Sequence, residues 1–268
     1  MIRLNDKEFN EIVGYIKDNY GINLTKKRQL IESRMQTVLV NKGLTNFTDY
    51  FTLIKQNNSD EITTMLNKLT TNHTYFYREP AHFEFMKNVF LPAQEKTNTR
   101  KELRIWSAGC SSGEEAYTTI MTMMEYFGLK KSNWDYRILA TDISLKAMEA
   151  AKNGLYSAES LKELPRAWEL KYFNKQGNDY YELKDEVRNQ VIFKRLNLME
   201  PFPPQKPFDL IFCRNVMIYF DQPTKNALIN KFYDALKPGG YLFIGHSETV
   251  QRDTTPFMYV EPSIYRKG

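Results

Sequence analysis

The chain has 268 residues, 42% apolar and 14% aromatic, so it can bury the core of one large or two modest domains without disulfides. Its net charge of +5 is mild, and it lacks the concentrated basic stripe that is typical of nucleic-acid binding. Because the N-terminal residues lack a signal-peptide layout and no stretch approaches the roughly 20 apolar residues of a membrane span, we expect a cytoplasmic protein that neither binds nucleic acid nor inserts into a membrane.

The first part of the chain has the pattern of short helices. Asn5 and Glu8 have capping-box spacing, apolar residues follow at helical period, and Gly21 is placed to end this helix. The same pattern predicts a second helix from Thr25 to a stop at Gly43. Shorter helices are predicted over about 47–56 and 60–69. This part of the chain is therefore expected to be all-α.

From Leu103 the pattern changes to short apolar runs that alternate with helical stretches. The predicted strands are "LRIWSAG", "YRILATDIS", "FDLIFCRN" and "GGYLFIGHSE", followed by a final strand or hairpin in "PFMYVEPSIYRKG". Such alternation indicates a mostly parallel sheet with crossover helices. The stretch at about 178–196 breaks the pattern and predicts a small antiparallel β insertion.

The turn after the first predicted strand, "WSAGCSSGEEAY", has small residues and two glycines, but not the spacing of the dinucleotide-binding G-x-G-x-x-G motif. Glu114 and Glu115 place negative charge at the start of the next helix. That charge disfavours a pyrophosphate and favours a cationic ligand. The alternative is that both glutamates only stabilise the helix dipole.

Asp142 ends the second predicted strand, where an acidic side chain commonly accepts hydrogen bonds from both hydroxyls of an adenosyl ribose. Ile143 is placed to lie against the purine. Taken alone, Asp142 can equally cap the helix that starts near Ser144. Together with the acidic turn, it favours an adenosyl nucleoside without phosphates. In these features the chain resembles class I S-adenosylmethionine-dependent methyltransferases.

Three further segments narrow the resemblance: "TTNHTYFYREP", "FCRNVMIYF" and "LKPGGYLFIGHSE". With the acidic turn, they are similar to the CheR family of chemotaxis receptor glutamate methyltransferases. The resemblance implies a small all-α N-terminal domain before a Rossmann-like α/β domain with an antiparallel last strand. The expected division is 1–72 for the helical domain, 73–102 for a linker and cofactor-closing segment, and 103–268 for the methyltransferase domain with its insertion.

The resemblance also implies the residues that bind S-adenosylmethionine, with S-adenosylhomocysteine as product. It places Asn72, Thr74 and Arg78 over the methionine end, where a guanidinium is a natural partner for the carboxylate. Ala108 and Glu114 correspond to contacts of the first turn, and Asp142 and Ile143 to those with ribose and adenine. Beside the adenine it places Asn197 and Leu198.

Arg214, Asn215 and Tyr219 follow the fourth main strand, where the resemblance places residues beside the transferred methyl group. Tyr219 is the residue expected to face the sulfonium and the acceptor, because a tyrosine meets a cation with its ring and a carboxylate with its hydroxyl. We therefore predict Tyr219 and Arg78 as catalytic residues. The histidines and the two cysteines have no metal-ligand spacing, so no metal is assigned.

The second predicted helix is basic, and Arg28 and Arg34, with Lys27, are the expected receptor-binding residues, although such a run is often only a solvated face. The resemblance implies a partner, the cytoplasmic helical bundle of chemotaxis receptors. Because the turn in "NKQGNDYY" is short, we expect no docking of a receptor tail, and we expect a monomer. The implied activity is protein-glutamate O-methylation. The alternatives are a methyltransferase with another acceptor and a non-catalytic protein that binds the nucleoside as a signal.

Overall fold

The structure is a computed structural model that describes residues 2–56, 59–70, 73–203 and 206–268. The chain folds into two units. The first comprises Met1–His73 with Tyr219–Lys225, and the second comprises Thr74–Ile218 with Asn226–Gly268. Most of the segment expected as a linker therefore belongs to the second unit, where Phe83 and Phe90 are buried in the core.

In the residues that the structure describes, the first unit contains four helices: α1 (Asp6–Tyr20), α2 (Arg28–Asn41), α3 (Phe47–Lys55) and α4 (Ser59–Leu69). α1 begins with the expected capping box between Asn5 and Glu8, and it ends at Gly21, whose φ of 72° is left-handed. The second carboxylate oxygen of Glu8 accepts hydrogen bonds from the backbone N–H and the hydroxyl of Thr48. One side chain thus joins the start of α1 to the start of α3.

α2 begins three residues later than the sequence pattern predicts. The side chain of Asn23 accepts hydrogen bonds from the backbone N–H of Thr25 at 3.2 Å and from its hydroxyl at 2.7 Å. The N–H of Lys27 donates to the carbonyl of Leu24 in the same turn. Because these local bonds compete with helical ones, the helix starts only at Arg28.

The second unit contains helices that flank and connect its strands. α12 begins at residues assigned to the first unit. The helices are α5 (Ala81–Phe85), α6 (Leu91–Thr97), α7 (Glu114–Phe127), α8 (Leu145–Asn153), α9 (Ala158–Leu161), α10 (Arg166–Tyr172), α11 (Asp185–Arg188) and α12 (Gln222–Ala235), with a π-helical stretch, Met86–Phe90, between α5 and α6.

The strands of this unit form a seven-stranded and a three-stranded sheet. They are β1 (Ile105–Ala108), β2 (Ile138–Asp142), β3 (Leu155–Ser157), β4 (Phe173–Gln176), β5 (Tyr180–Leu183), β6 (Val191–Arg195), β7 (Phe208–Cys213), β8 (Leu236–Ile244), β9 (Met258–Glu261) and β10 (Ile264–Arg266). The large sheet has the order β6-β2-β1-β7-β8-β10-β9.

The first five strands of this order are parallel, and every residue of β1 and β7 is buried. Burial on both faces explains why these strands are mostly apolar, with Ser107 in β1 and Asp209 in β7 as the polar exceptions. Parallel strands end at a common edge, here at Ala108, Asp142, Arg195, Cys213 and Ile244. The loops that carry most of the expected cofactor residues start from this edge.

β10 runs antiparallel to both β8 and β9. This confirms the expected antiparallel end of an otherwise parallel sheet. Within the described ranges, every helix is too short or too polar to span a bilayer.

The structure confirms a small antiparallel sheet, but most of it lies earlier in the chain than the expected insertion at about 178–196, and only β5 falls inside those bounds. It has the order β3-β5-β4, and its β4–β5 hairpin turns at Gly177. Val191–Arg195 instead runs parallel to β2, with Ile138 opposite Val191. The assignment of that stretch to the insertion was wrong because β6 is a mostly exposed edge strand, and its exposure resembles that of a small surface sheet.

Candidate active site

The turn between β1 and α7 is held by β2 and by the loop after β7. The N–H groups of Gly109 and Cys110 both donate to the carbonyl of Thr141, at 2.8 and 2.9 Å. Gly109 has a φ of 84°, and a Cβ there would lie 2.5 Å from the Cγ2 atom of Val216. The small residues therefore allow close approach of neighbouring chain segments, and they fix where α7 begins.

Glu114, the first residue of α7, is buried at the end of this turn, with 3% of its surface exposed. The hydroxyl of Ser112 lies within 2.9 Å of both its carboxylate oxygens, and the hydroxyl of Thr74 also donates to it. Burial raises the pKa of Glu114 despite these donors. The structure thus brings the expected cofactor residues Thr74 and Glu114 together.

Glu115 has different partners from its neighbour. It accepts hydrogen bonds from the hydroxyl of Ser107 at 2.6 Å and from Nη1 of Arg214 at 3.1 Å. Burial raises the pKa of Glu115, although the positive charge of Arg214 acts in the opposite direction. The adjacent carboxylates of Glu114 and Glu115 therefore bond to different groups. Of the two, Glu114 is the one bonded to Thr74 of the expected cofactor-closing segment.

Asp142 lies at the end of β2 beside the same turn. Its carboxylate accepts hydrogen bonds from the N–H groups of Ser111 at 2.8 Å and Ser144 at 2.9 Å. The side chain of Ser144, rather than Asp142, caps α8. Burial raises the pKa of Asp142. Asp142 is therefore not the N-terminal cap of α8. Its carboxylate instead holds together the loop after β1 and the loop after β2. Ile143, next to it, is half-buried.

Asn197 and Leu198 come directly after the strand beside β2. Arg195 is the register partner of Asp142, and the N–H of Leu196 donates to the carbonyl of Asp142. The side chain of Asn197 accepts a hydrogen bond from the N–H of Met199 at 3.1 Å, and Leu198 is buried. The topology thus places this pair next to the Asp142 loop.

Arg78 lies between two residues with left-handed backbone, Tyr77 at φ 63° and Glu79 at φ 57°. Its guanidinium lies 5.9 Å from the ring centre of Tyr75. Asn72, the other expected residue of this segment, lies outside the described residues. The backbone on both sides of Arg78 is therefore strongly constrained, because non-glycine residues seldom adopt this conformation.

Arg214 and Asn215 follow β7, and their side chains bond to the protein. Arg214 donates to Glu79 and Glu115, and Nδ2 of Asn215 lies 3.3 Å from Oε1 of Glu79. The N–H of Asn215 donates to buried Glu248, which also accepts from the N–H groups of Gly245 and Ile218. The sequence analysis missed Glu79 and Glu248 as organising residues, although both stand in segments that it singled out.

The remaining expected site residues belong to the first unit. The carbonyl of Tyr219 accepts the N–H of Asn23 at 2.8 Å. Arg28 lies over the ring of Phe9 at 4.6 Å, and Arg34 donates to the carbonyls of Lys68 and Thr70. Lys27 is exposed at the N-terminal cap of α2. Their roles in catalysis and receptor binding stay predictions.

Folding places Glu79, His82 and His246 together, although their sequence spacing gave no metal motif. One ligand atom from each lies within 4.8 Å of the others. Arg214 already forms an ion pair with the Glu79 carboxylate, and its positive charge would repel a metal cation at the same oxygens. Burial first, and then Arg214, lower the pKa of His82 to about 3, so its imidazole is neutral. A neutral imidazole can still ligate a metal, so only the competing Arg214 cation opposes one here, and the absence of a metal stays a prediction.

The donor set around the turn fits S-adenosylmethionine. Buried Glu114 and half-buried Asp142 supply carboxylates suited to an ammonium group and a ribose diol, whereas a phosphate would meet their negative charge. With the parallel sheet, this arrangement defines the S-adenosylmethionine-dependent methyltransferase class.

Comparison with known proteins identifies the family. The model of the CheR methyltransferase all-alpha domain matches residues 7–70, and that of the CheR methyltransferase SAM binding domain matches residues 72–265. The chain belongs to the CheR methyltransferase family, and its cofactor is S-adenosylmethionine.

Curated relatives agree along the whole chain. A chemotaxis protein methyltransferase of Borreliella burgdorferi is 44% identical over 100% of this chain and 96% of its own length. A chemotaxis protein methyltransferase of Escherichia coli is 38% identical, covering 92% of this chain and 86% of its own. Chemotaxis protein methyltransferase 2 of Vibrio cholerae is 34% identical, covering 96% and 90%. The chain is therefore similar over nearly its whole length to chemotaxis protein methyltransferases.

Proposed function

We propose that this protein methylates glutamate side chains of chemotaxis receptors, giving glutamate methyl esters. The observation that carries the proposal is the acidic pair of buried Glu114 and half-buried Asp142 at the strand edge of a CheR methyltransferase domain. The names of the relatives support a role in chemotaxis. The family and the cofactor do not specify the acceptor. The proposal adds that the acceptor is a glutamate side chain and that it belongs to a receptor.

The chemistry of the acceptor matches the side chains of the site. A receptor glutamate has a reference pKa near 4.3, so it is already an anion at neutral pH and needs no general base. S-adenosylmethionine supplies an electrophilic methyl group on a positively charged sulfur. The protein then has to position the carboxylate and exclude water, which lowers the barrier without proton transfer.

The proposed roles follow the side chains. Glu114 accepts from the ammonium group of the cofactor, and Asp142 accepts from the ribose hydroxyls. Asn197 and Leu198 lie beside the adenine, and Arg78 pairs with the methionine carboxylate, as a guanidinium does well. Tyr219 keeps its proposed catalytic role, because its ring can stabilise a cation.

The first unit is the proposed receptor-binding part. Lys27, Arg28 and Arg34 put positive charge on and beside α2, which suits the glutamate-rich helices of a receptor bundle. We propose that the protein acts in the cytoplasm, since the cytoplasmic bundle is its partner. We also propose that it acts as a monomer.

A labelled-methyl transfer assay with receptor fragments tests the function. Fragments with glutamate at the modification sites are compared with otherwise identical fragments that carry glutamine there. We expect base-labile label only on the glutamate fragments, because glutamine offers no carboxylate. Equal labelling of both would indicate another acceptor, and cofactor binding without labelling would indicate a nucleoside-binding signalling protein.

A further inference from the structure

Groups of the second unit accept four hydrogen bonds from the guanidinium of Arg214. Its side chain is 2% exposed. Nε and Nη2 donate to Oε2 of Glu79 at 3.3 and 3.2 Å, and Nη1 donates to Glu115 at 3.1 Å. Nη2 also donates to the carbonyl of Arg78, and the ring of Phe83 lies 5.6 Å from the guanidinium carbon. Every guanidinium nitrogen therefore has a protein acceptor.

Glu79 is held from several directions. Besides Arg214, it accepts hydrogen bonds from the side chain of Asn215 and from the N–H of His246, both at 3.3 Å. Burial opposes its ionisation, but Arg214 and these donors outweigh burial and lower the pKa of Glu79. Glu79, Glu115, Arg214 and Asn215 form what we call the buried polar cluster. It joins the segment before α5 to the start of α7 and to the loop after β7.

The cluster closes one end of the Arg78 segment, residues 74–79. The other end is also held, because Thr74 donates to Glu114 and the N–H of Phe76 donates to the carbonyl of Ser160 at 2.9 Å. Between them, the N–H of Tyr77 donates to the hydroxyl of Thr118 at 3.1 Å. A left-handed backbone conformation is unfavourable for non-glycine residues such as Tyr77 and Glu79, so it persists only where such partners hold it.

We propose that Glu79 and Arg214 are positioning residues that fix the backbone of Arg78, so that Arg214 acts on the cofactor through Arg78 rather than by touching it. This inference rests on the proposed function, in which Arg78 meets the methionine carboxylate. It changes the role expected for Arg214 from a cofactor ligand to a support of the Arg78 segment. Removing one partner of a buried ion pair leaves the other charge uncompensated, which makes the effect measurable.

The test combines hydrogen exchange with binding. Glu79→Gln keeps the side-chain size and removes the charge, and Arg214→Lys keeps the charge but loses the paired donors. We expect faster exchange at the amides of Phe76 and Tyr77 in both variants, and an affinity for S-adenosylhomocysteine about tenfold weaker by calorimetry.

The matched control is Asp209→Asn. Asp209 is also buried and paired, with Lys237 at 2.7 Å, but it stands at the opposite end of β7 from Arg214. Its replacement is expected to lower the melting temperature while leaving nucleoside affinity and exchange in residues 74–79 unchanged. Losing affinity equally in this variant would show that the effect is general destabilisation, and it would overturn the proposal.

A double-mutant cycle decides whether Glu79 acts through Arg78. In an Arg78→Ala background, Glu79→Gln is expected to change affinity by no more than about twofold, because the group being positioned is gone. The same tenfold loss in both backgrounds would overturn the positioning role while leaving Arg78 as a ligand. Unchanged affinity in Arg78→Ala alone would instead refute the proposed contact of Arg78, and with it this inference. Unchanged exchange in the Glu79 variant would also overturn it.

Discussion

At the scale of single residues, the two adjacent glutamates of the first turn have separate tasks. Glu114 bonds to Ser112 and Thr74, whereas Glu115 bonds to Ser107 and Arg214. Sequence spacing alone identifies an acidic turn at a strand end. It does not separate the two side chains, because residues next to each other on a helix point in different directions.

Glu114 predicts a pH dependence of cofactor binding. Because burial raises its pKa, Glu114 becomes protonated in the free protein at a higher pH than an exposed glutamate as the pH falls from neutral, and its attraction for an ammonium group then weakens. S-adenosylhomocysteine should therefore bind less tightly as the pH falls. In Glu114→Gln, binding should be about tenfold weaker at pH 7 and less dependent on pH, with Asp142 supplying the residual dependence.

Calorimetry over this pH range measures the effect. If the wild type and the glutamine variant show the same pH dependence, Glu114 does not meet the ammonium group.

Replacing Asp142 should cause a larger loss of nucleoside affinity than replacing Glu114. Two hydrogen bonds from ribose hydroxyls to a carboxylate contribute about 3 kcal/mol, so Asp142→Ala should weaken S-adenosylhomocysteine binding by roughly a hundredfold. The variant also loses the acceptor of the Ser111 and Ser144 amides, so its melting temperature should fall. Asp142→Asn, which keeps one acceptor oxygen, should be intermediate in both. Unchanged affinity in a folded alanine variant would remove Asp142 from the ribose site.

At the scale of elements, the boundaries set by local chemistry were predictable. The capping box and Gly21 set both ends of α1, and burial on both faces marked β1 and β7. The start of α2 was missed because the Asn23 turn competes with the helix. β6 was misassigned because it is a mostly exposed edge strand in which three apolar residues precede two basic ones, so its sequence does not separate it from the strands of a small surface sheet.

The basic residues around α2 are not equivalent as tests of receptor binding. Arg34 donates to two carbonyls at the end of α4, so its reversal should destabilise the first unit as well. Lys27 is exposed, so Lys27→Glu is the cleaner change. We expect it to lower receptor methylation about fivefold at low salt and less at high salt, because exposed charges are screened.

Two controls accompany the Lys27 measurement. Affinity for S-adenosylhomocysteine should stay unchanged in Lys27→Glu, and the same charge reversal at exposed Lys96 of α6 should leave methylation near the wild-type rate. An equal loss in both lysine variants would point to overall charge rather than to a specific receptor-binding surface.

At the scale of the whole molecule, the sequence indicates the all-α and α/β parts and the strand edge that carries the loops. It does not indicate pairings between distant segments. Glu79 and Arg214 stand 135 residues apart, and residues 219–225 belong with the N-terminal helices although they follow β7. Such associations arise from tertiary packing, which neither periodicity nor turn chemistry encodes locally.

The proposed chemistry depends on a phosphate-free nucleoside bound against the carboxylates of Glu114 and Asp142. Calorimetric titration of the whole protein with S-adenosylhomocysteine and, separately, with ATP tests this most directly. We predict a single site for S-adenosylhomocysteine and no detectable binding of ATP at the same concentrations, because Glu114 and Asp142 repel a triphosphate. No binding of S-adenosylhomocysteine, or tight binding of ATP that S-adenosylhomocysteine displaces, would contradict this assignment of the site.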